Sequence, residues 1–419
     1  MATLLRILLL WVVPLKILLM AIFIGWLNTF PIPEGTLFTM VYPLTKGLLP
    51  TVWTGGYKDC PIPPLPEHSE EKMPPPHHTS YVTLPGSSND TARTIHSKDP
   101  TYYKIPQSGI GMCCRYTAYD AESVRRTILW YLVHQGGRHI DTADYYQNHE
   151  WIGEALQIAM TRYGIPRRDI WVTTKLWPRH YGTNATLTAI PRMLQELQLD
   201  YIDLVLMHAP SHQPIPFLTT TSTSNACGGE TRKSRKACRR ETWEALTVAR
   251  NDKGYVRHVG VSNFNIRQLQ ELQFMRAKQA AAAPIANHQF QYNPWVPDAV
   301  HDMFRYCQQH GIPVTAWSSF AGSAMLQHMA SSTVDSLRKI AKNHGDHYTV
   351  AQILLQWAAQ KGAIVISTDD DMTTTTTAVP VSSSSSSSLQ LTLQEMAEIE
   401  DLKRDESAKS FFVTVVDDT

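Results

Sequence analysis

From about Lys104 onward, short apolar runs alternate with stretches whose apolar residues recur at helical spacing. The runs predict strands at Ile110–Met112, His139–Asp141, Ile170–Thr174, Ile202–Met207, Val256–Val261, Ile285–Gln289, Pro313–Trp317 and Ala363–Ile366. Between them, Val124, Ile128 and Leu132 line one face of a helix over 121–135. Ile152, Ala155, Leu156 and Ala159 do so after Asn148, which is expected to cap that helix, and Val350, Ile353, Leu354 and Trp357 do so over 349–361. Further helices are expected near 241–252, 266–277 and 300–310. Residues 202–207 are almost wholly apolar, as suits a parallel strand covered on both faces. Strand–helix repeats of this kind over about 300 residues predict an α/β fold, the (β/α)8 TIM barrel. An open doubly wound sheet is the alternative, but no G-x-G-x-x-G follows any strand, which weighs against a dinucleotide-binding sheet.

The N-terminal third has a different rhythm. Leu4 to Leu27 is strongly apolar, interrupted by Arg6, Pro14 and Lys16. A spanning helix needs about 20 apolar residues. A lysine near its middle costs roughly 2.5–3.5 kcal/mol, which the surrounding Leu, Ile, Val and Phe offset. Residues 1–30 are therefore expected to form a single-pass transmembrane anchor helix, placing the protein on an endomembrane such as the endoplasmic reticulum. A cleaved secretory signal is the alternative, though no A-x-A-like site follows. Residues 31–103, rich in Pro and Ser, are expected to be a linker. The barrel is assigned to 104–405, with irregular insertions at 211–240 and 369–388, and 406–419 is a tail. The first insertion ends in a basic cluster (Arg232, Lys233, Arg235, Lys236, Arg239, Arg240) taken as a solvated loop. The second is a low-complexity run of Asp, Thr and Ser. Pro191 falls inside a helical pattern and suggests that a helix begins there.

A formal net charge of +1 gives no basic surface and argues against nucleic-acid binding. The six cysteines are scattered without metal-ligand spacing. Free or buried thiols are the expected state, with a Cys227–Cys238 bridge as the alternative. Asn89-Asp90-Thr91 and Asn184-Ala185-Thr186 are glycosylation sequons, which would be used only in a lumen.

The polar residues at the C-terminal ends of the strands carry the candidate chemistry. They are Asp141 and the nearby Tyr146, Lys175, His208, Ser262-Asn263, Gln289 and Trp317-Ser318. In a barrel these converge on one mouth. A tyrosine beside an ammonium has its pKa drawn down, an aspartate holds that ammonium in place, and a histidine orients a carbonyl oxygen. Together they form a site that protonates a developing alkoxide, and an alkoxide forms when hydride adds to a carbonyl. Ser262, Asn263 and Gln289 suit a carboxamide, and Trp317 suits a flat ring. No metal site is expected.

Several stretches carry a specific resemblance: Gly136-Gly137-Arg138-His139-Ile140-Asp141-Thr142-Ala143 with Tyr146; Val172-Thr173-Thr174-Lys175; Asp200-Tyr201-Ile202-Asp203-Leu204-Val205-Leu206-Met207-His208; Gly260-Val261-Ser262-Asn263-Phe264; and Gln289-Phe290-Gln291-Tyr292-Asn293-Pro294-Trp295. In this order they resemble the aldo-keto reductase superfamily across about Ile105 to Leu402. The resemblance implies a barrel that binds NADPH in an extended pose and reduces a small carbonyl substrate. It makes Tyr146 the general acid, with Lys175 and Asp141 tuning it and His208 orienting the carbonyl. Ser262, Asn263 and Gln289 would hold the nicotinamide carboxamide, and Trp317 and Ser318 would complete the cofactor wall. Ala209 stands where the family often has Trp, and His288 where it usually has Asn. Beyond the last strand, Asp369-Asp370-Asp371 replaces the basic and hydroxyl residues that bind the adenosine 2′-phosphate, so the sequence weakens the preference for NADPH over NADH. The competing function is a catalytically weak membrane scaffold or cofactor sensor on the same barrel. NADPH supply points to the cytosolic side of the membrane and the sequons to the lumenal side. Oligomeric state is not readable.

Overall fold

The computed structural model describes residues 80–85, 104–113, 120–211, 227, 234–279, 282–319, 329–367 and 389–404. The expected anchor (1–30), nearly all of the linker, the 369–388 insertion and the tail lie outside the described residues. Among the described residues no helix is long and apolar enough to cross a membrane.

Eight strands close into a parallel barrel: β3 (Ser108–Gly111), β4 (His139–Asp141), β5 (Trp171–Leu176), β6 (Ile202–Met207), β7 (Val256–Ser262), β8 (His288–Gln291), β9 (Val314–Trp317) and β10 (Ile364–Ser367), with β10 pairing β3. The open sheet is thereby excluded. The first strand starts two residues before the expected Ile110, because Ser108 and Gly109 pair with Val365 and Ile366. Ahead of the barrel, β1 (Tyr81–Thr83) and β2 (Lys104–Pro106) form an antiparallel pair. Leu84 and Ile105 from this pair pack with Trp171, Leu204, Leu206, Ala286 and Ile364, covering the N-terminal end of the barrel.

The helices are α1 (Ala121–Leu129), α2 (His149–Thr161), α3 (Thr183–Leu197), α4 (Arg235–Asn251), α5 (Ile266–Lys278), α6 (Asp298–Gln309), α7 (Ser331–His344), α8 (Val350–Gln360) and α9 (Leu393–Asp401). The predicted apolar faces are the buried ones: Val124 and Ile128 on α1, and Ile152, Ala155, Leu156 and Ala159 on α2, all lose their exposure to the core. Helices α7 and α9 are not among those the apolar pattern predicts.

Three expectations need correcting. Pro191 does not start a helix; it lies inside α3. Its ring faces solvent while Ala189, Ile190, Met193, Leu194 and Leu197 bury the opposite side, so packing outweighs the missing hydrogen bond. The 211–240 loop ends earlier than expected. Ser234 caps α4 by accepting from the Ala237 N–H at 3.2 Å, and the helix absorbs Arg235, Lys236, Arg239 and Arg240. Arg239 is buried and pairs with Glu271 at 2.9 Å rather than being solvated. Finally, Cys227 and Cys238 are joined in a disulfide, so the favoured free-thiol state is wrong for this pair. Cys307 is free and buried.

Candidate active site

β4 ends at Asp141, and the chain then turns through a single 3-10 turn, Asp144–Tyr146, whose last residue carries the candidate acid. Gln147 follows in the left-handed region at φ 56°, which turns the chain into α2. Asn148 stands at the start of α2 but does not cap it. Its side-chain N–H donates to the Met112 carbonyl (2.8 Å), and its oxygen accepts from the Thr142 hydroxyl (2.8 Å). It therefore ties the turn to the end of β3, a tertiary use that outweighs the local cap.

Side chains alternate along β5, so Thr173 and Lys175 point inward with Asp141 beside them in the ladder. The Lys175 ammonium donates to an Asp141 carboxylate oxygen, to the Thr142 carbonyl at 3.0 Å and to the Tyr146 hydroxyl at 3.4 Å. The other Asp141 oxygen accepts from Gln289 Nε2 at 2.6 Å. Lys175 is 2% exposed and Asp141 4%, so this is a desolvated ion pair with a phenol attached. The His208 ring lies 5.8 Å from the Tyr146 ring, edge on. Four predicted side chains from three neighbouring strands thus meet at one mouth.

The electrostatics differ from expectation in one respect. Burial pushes the Tyr146 phenol above the ordinary tyrosine range, and the nearby Lys175 pulls it back only in part. The predicted downward pull exists, but desolvation outweighs it, so the phenol holds its proton at neutral pH. Burial also lowers the Lys175 ammonium, but Asp141 and then Tyr146 more than offset this and keep it charged. His208 is driven well below the usual histidine value by burial and then by Lys175, and is neutral at pH 7. Its Nδ1 is buried without a hydrogen-bond partner among the described residues.

The predicted cofactor residues lie side by side on β7, β8 and β9, where Ser262 is opposite Gln289 and Gln291 is opposite Trp317. Asn263 (φ 60°) and Ser318 (φ 55°) both take left-handed backbone, which turns the chain sharply at the rim. The Asn263 amide donates to the His208 carbonyl at 3.1 Å, and the Ser318 carbonyl accepts from Asn293 at 3.0 Å. The Gln289 amide oxygen makes no hydrogen bond among the described residues. A hydroxyl, an amide and a free amide oxygen form a donor and acceptor set that fits a carboxamide. Trp317 is half-buried. Ser367 is buried, and its hydroxyl donates to the Gly109 carbonyl at 3.4 Å. The segment from Thr368 through the aspartates, where the family binds the 2′-phosphate, lies outside the described residues.

Two features escape the reading of the sequence. Tyr145 stacks on Trp177 at 4.1 Å, and the Trp177 ring lies 5.1 Å from His208, making an aromatic wall beside the site. Trp177 follows Lys175 by two residues, so strand alternation is the signal that places it on the same side. The second feature is Asp144, buried on the turn that carries Tyr146. It pairs with Arg192 at 2.5 Å and His180 at 3.3 Å. Arg192 continues to Glu196 (2.5 Å), Glu196 to His149 (3.1 Å), and His149 to the Thr174 hydroxyl (2.9 Å). The chain of contacts runs from two residues before Tyr146 to the neighbour of Lys175. Burial alone would raise the Asp144 carboxyl, but His180 and Arg192 hold it far below the usual carboxylate range.

Comparison with known proteins places the chain in a family. The pattern described as "Aldo/keto reductase family" matches residues 109–407. A 9,11-endoperoxide prostaglandin H2 reductase of Trypanosoma cruzi is 30% identical over 312 residues, 74% of this chain and 91% of that protein. A glyoxal reductase of Bacillus subtilis is 30% identical over 284 residues, 68% of this chain and 83% of that one. An aldo/keto reductase structure from Brucella melitensis superposes with a TM-score of 0.55 at 25% identity, covering 77% of this chain and 99% of that chain.

Proposed function

Because the chain belongs to the aldo/keto reductase family, we propose that it reduces an aldehyde or ketone to an alcohol with a hydride from NAD(P)H, Tyr146 serving as general acid. The bound nicotinamide would supply the hydride, held by Ser262, Asn263 and Gln289 against Trp317 and Ser318. The observation that carries the acid assignment is the Lys175 ammonium touching both Asp141 and the Tyr146 hydroxyl inside a dry mouth. As negative charge builds on the substrate oxygen, Tyr146 donates its proton, and the ammonium stabilises the phenolate left behind. Asp141 keeps the ammonium charged, and Gln289 occupies the second carboxylate oxygen, so Asp141 is not free to take the proton itself. His208, neutral and edge-on to Tyr146, is suited to hydrogen-bond the carbonyl oxygen rather than repel or protonate it.

The experiment uses purified full-length chain with NADPH and, separately, NADH, and follows loss of nicotinamide absorbance with a panel of aldehydes and ketones. Turnover that disappears in Tyr146→Phe is the expected result. No turnover with any substrate, or a Tyr146→Phe variant as fast as the parent, would overturn the assignment. The apolar segment 4–27 supports a membrane anchor on an endomembrane. Activity recovered entirely in the membrane-free fraction would refute it.

A further inference from the structure

We infer that the barrel matures in an oxidising secretory lumen and carries an N-linked glycan on Asn184. Asn184-Ala185-Thr186 lies in the first turn of α3, which begins at Thr183 directly after Gly182. Asn184 is exposed, and its side-chain amide has no hydrogen-bond partner among the described residues. A glycan on it would extend into solvent from the rim of the barrel without displacing any core group.

The cysteines give an independent reason. Among the described residues, Cys227 and Cys238 are bonded to each other with Cα atoms 5.5 Å apart, Cys113 is also disulfide-bonded, and only the buried Cys307 is free. Structural disulfides persist in secretory lumens and are rare where glutathione and thioredoxin keep thiols reduced. A sequon alone is a weak signal; next to structural disulfides it lies in the compartment where its enzyme works.

The two features share one corner of the molecule. The Cys227 N–H donates to the Tyr181 carbonyl at 3.2 Å. Gly182 lies so close to Cys227 that an added Cβ would stand 2.9 Å from its Cα. The Thr242 hydroxyl accepts from the Gly182 N–H (2.9 Å) and donates to the Cys238 carbonyl (2.8 Å). Both halves of the bridge thus hold the turn from which the helix of Asn184 starts. Thr186 is completely buried, with its hydroxyl given to the His180 carbonyl at 3.0 Å. The sequon threonine is therefore unavailable in the folded protein, so the glycan is added before α3 docks, as translocation-coupled transfer would do.

Each bond balances with reagents of such a lumen. The Asn184 amide nitrogen attacks the anomeric carbon of a lipid-linked oligosaccharide. A C–N bond forms, the C–O bond to the lipid diphosphate breaks, the diphosphate leaves with that electron pair, and one amide proton is released. Cys227 and Cys238 pass two electrons and two protons to the disulfide of a protein thiol oxidant, which becomes a dithiol.

The test is full-length chain expressed in cultured animal cells. Peptide N-glycosidase should lower its mass and leave Asp at position 184, read by peptide mass spectrometry. Asn184→Gln and Thr186→Ala should each remove that share of the shift, and Thr186→Ser should restore it, which separates loss of the sequon from misfolding. Maleimide labelling of the denatured, unreduced protein should spare Cys227 and Cys238. The inference is overturned by an unmodified residue 184 in protein from these cells, by a shift that depends on Asn89 alone, or by full labelling of the two cysteines.

Discussion

Two buried carboxylates, Asp141 at the end of β4 and Asp203 near the start of β6, stand at opposite ends of the barrel and do opposite work. Asp203 is 2% exposed. It accepts from Arg167 at 2.6 Å and from the Val172 N–H at 3.0 Å, with Arg257 at 3.5 Å. The two guanidinium groups also cover the Tyr201 ring, at 4.1 and 3.8 Å. All of these partners are permanent donors, so the cluster can hold but not transfer a proton. Asp141 is just as dry, yet its ammonium partner reaches a phenol. Both buried ion pairs have a tyrosine beside them, and the difference is in how it is met: the guanidinium groups lie over the Tyr201 ring, whereas the Lys175 ammonium reaches the Tyr146 hydroxyl itself.

Removing that hydroxyl tests the contrast most severely. Tyr146→Phe is expected to lower kcat roughly 10²- to 10⁴-fold with little change in melting temperature. Equal loss of stability would make Tyr146 a strut as well. The converse change, Asp203→Ala, leaves two arginines facing an empty buried site. It is expected to cost about 3–5 kcal/mol in chemical denaturation, with kcat per folded molecule unchanged.

A milder probe is acid. Burial holds His139 at about 4 and His288 at about 3, below the ordinary value near 6.5. Their folded pKa values are depressed, so the unfolded chain binds more protons between these limits. The stability these two contribute is full above about pH 6.5 and is lost as pH falls toward 4 and then 3. Denaturation at pH 5 should show roughly 2 kcal/mol less stability per histidine than at pH 7. The smallest expected effect is at the clamp on the turn that carries Tyr146. Asp144→Asn weakens its hold on Arg192 and His180, and kcat should fall roughly threefold to tenfold through misplacement of Tyr146. Cofactor affinity, measured by fluorescence titration, should not move.

Much of this architecture is readable from the chain. Alternating apolar runs locate the barrel strands, and one nearly continuous run, 202–207, matches β6 residue for residue. The candidate site residues are readable because they stand at strand ends, where the pattern changes from apolar to polar. Other features are not readable, because they depend on neighbours distant in sequence. Asn148 looks like a cap and is instead a bridge to Met112, 36 residues away. Arg239 looks like one charge of a solvated cluster and is instead buried on Glu271.

Strand–helix alternation, polar residues at the strand ends and the family motifs were all written in the order of the residues, because strand and helix periods and short motifs are local properties. That Tyr146 keeps its proton, that His208 is neutral and that Cys227 bonds Cys238 became visible only in the folded chain. Those outcomes depend on how much water each group loses and on which group stands opposite it, and the closing of the barrel sets both.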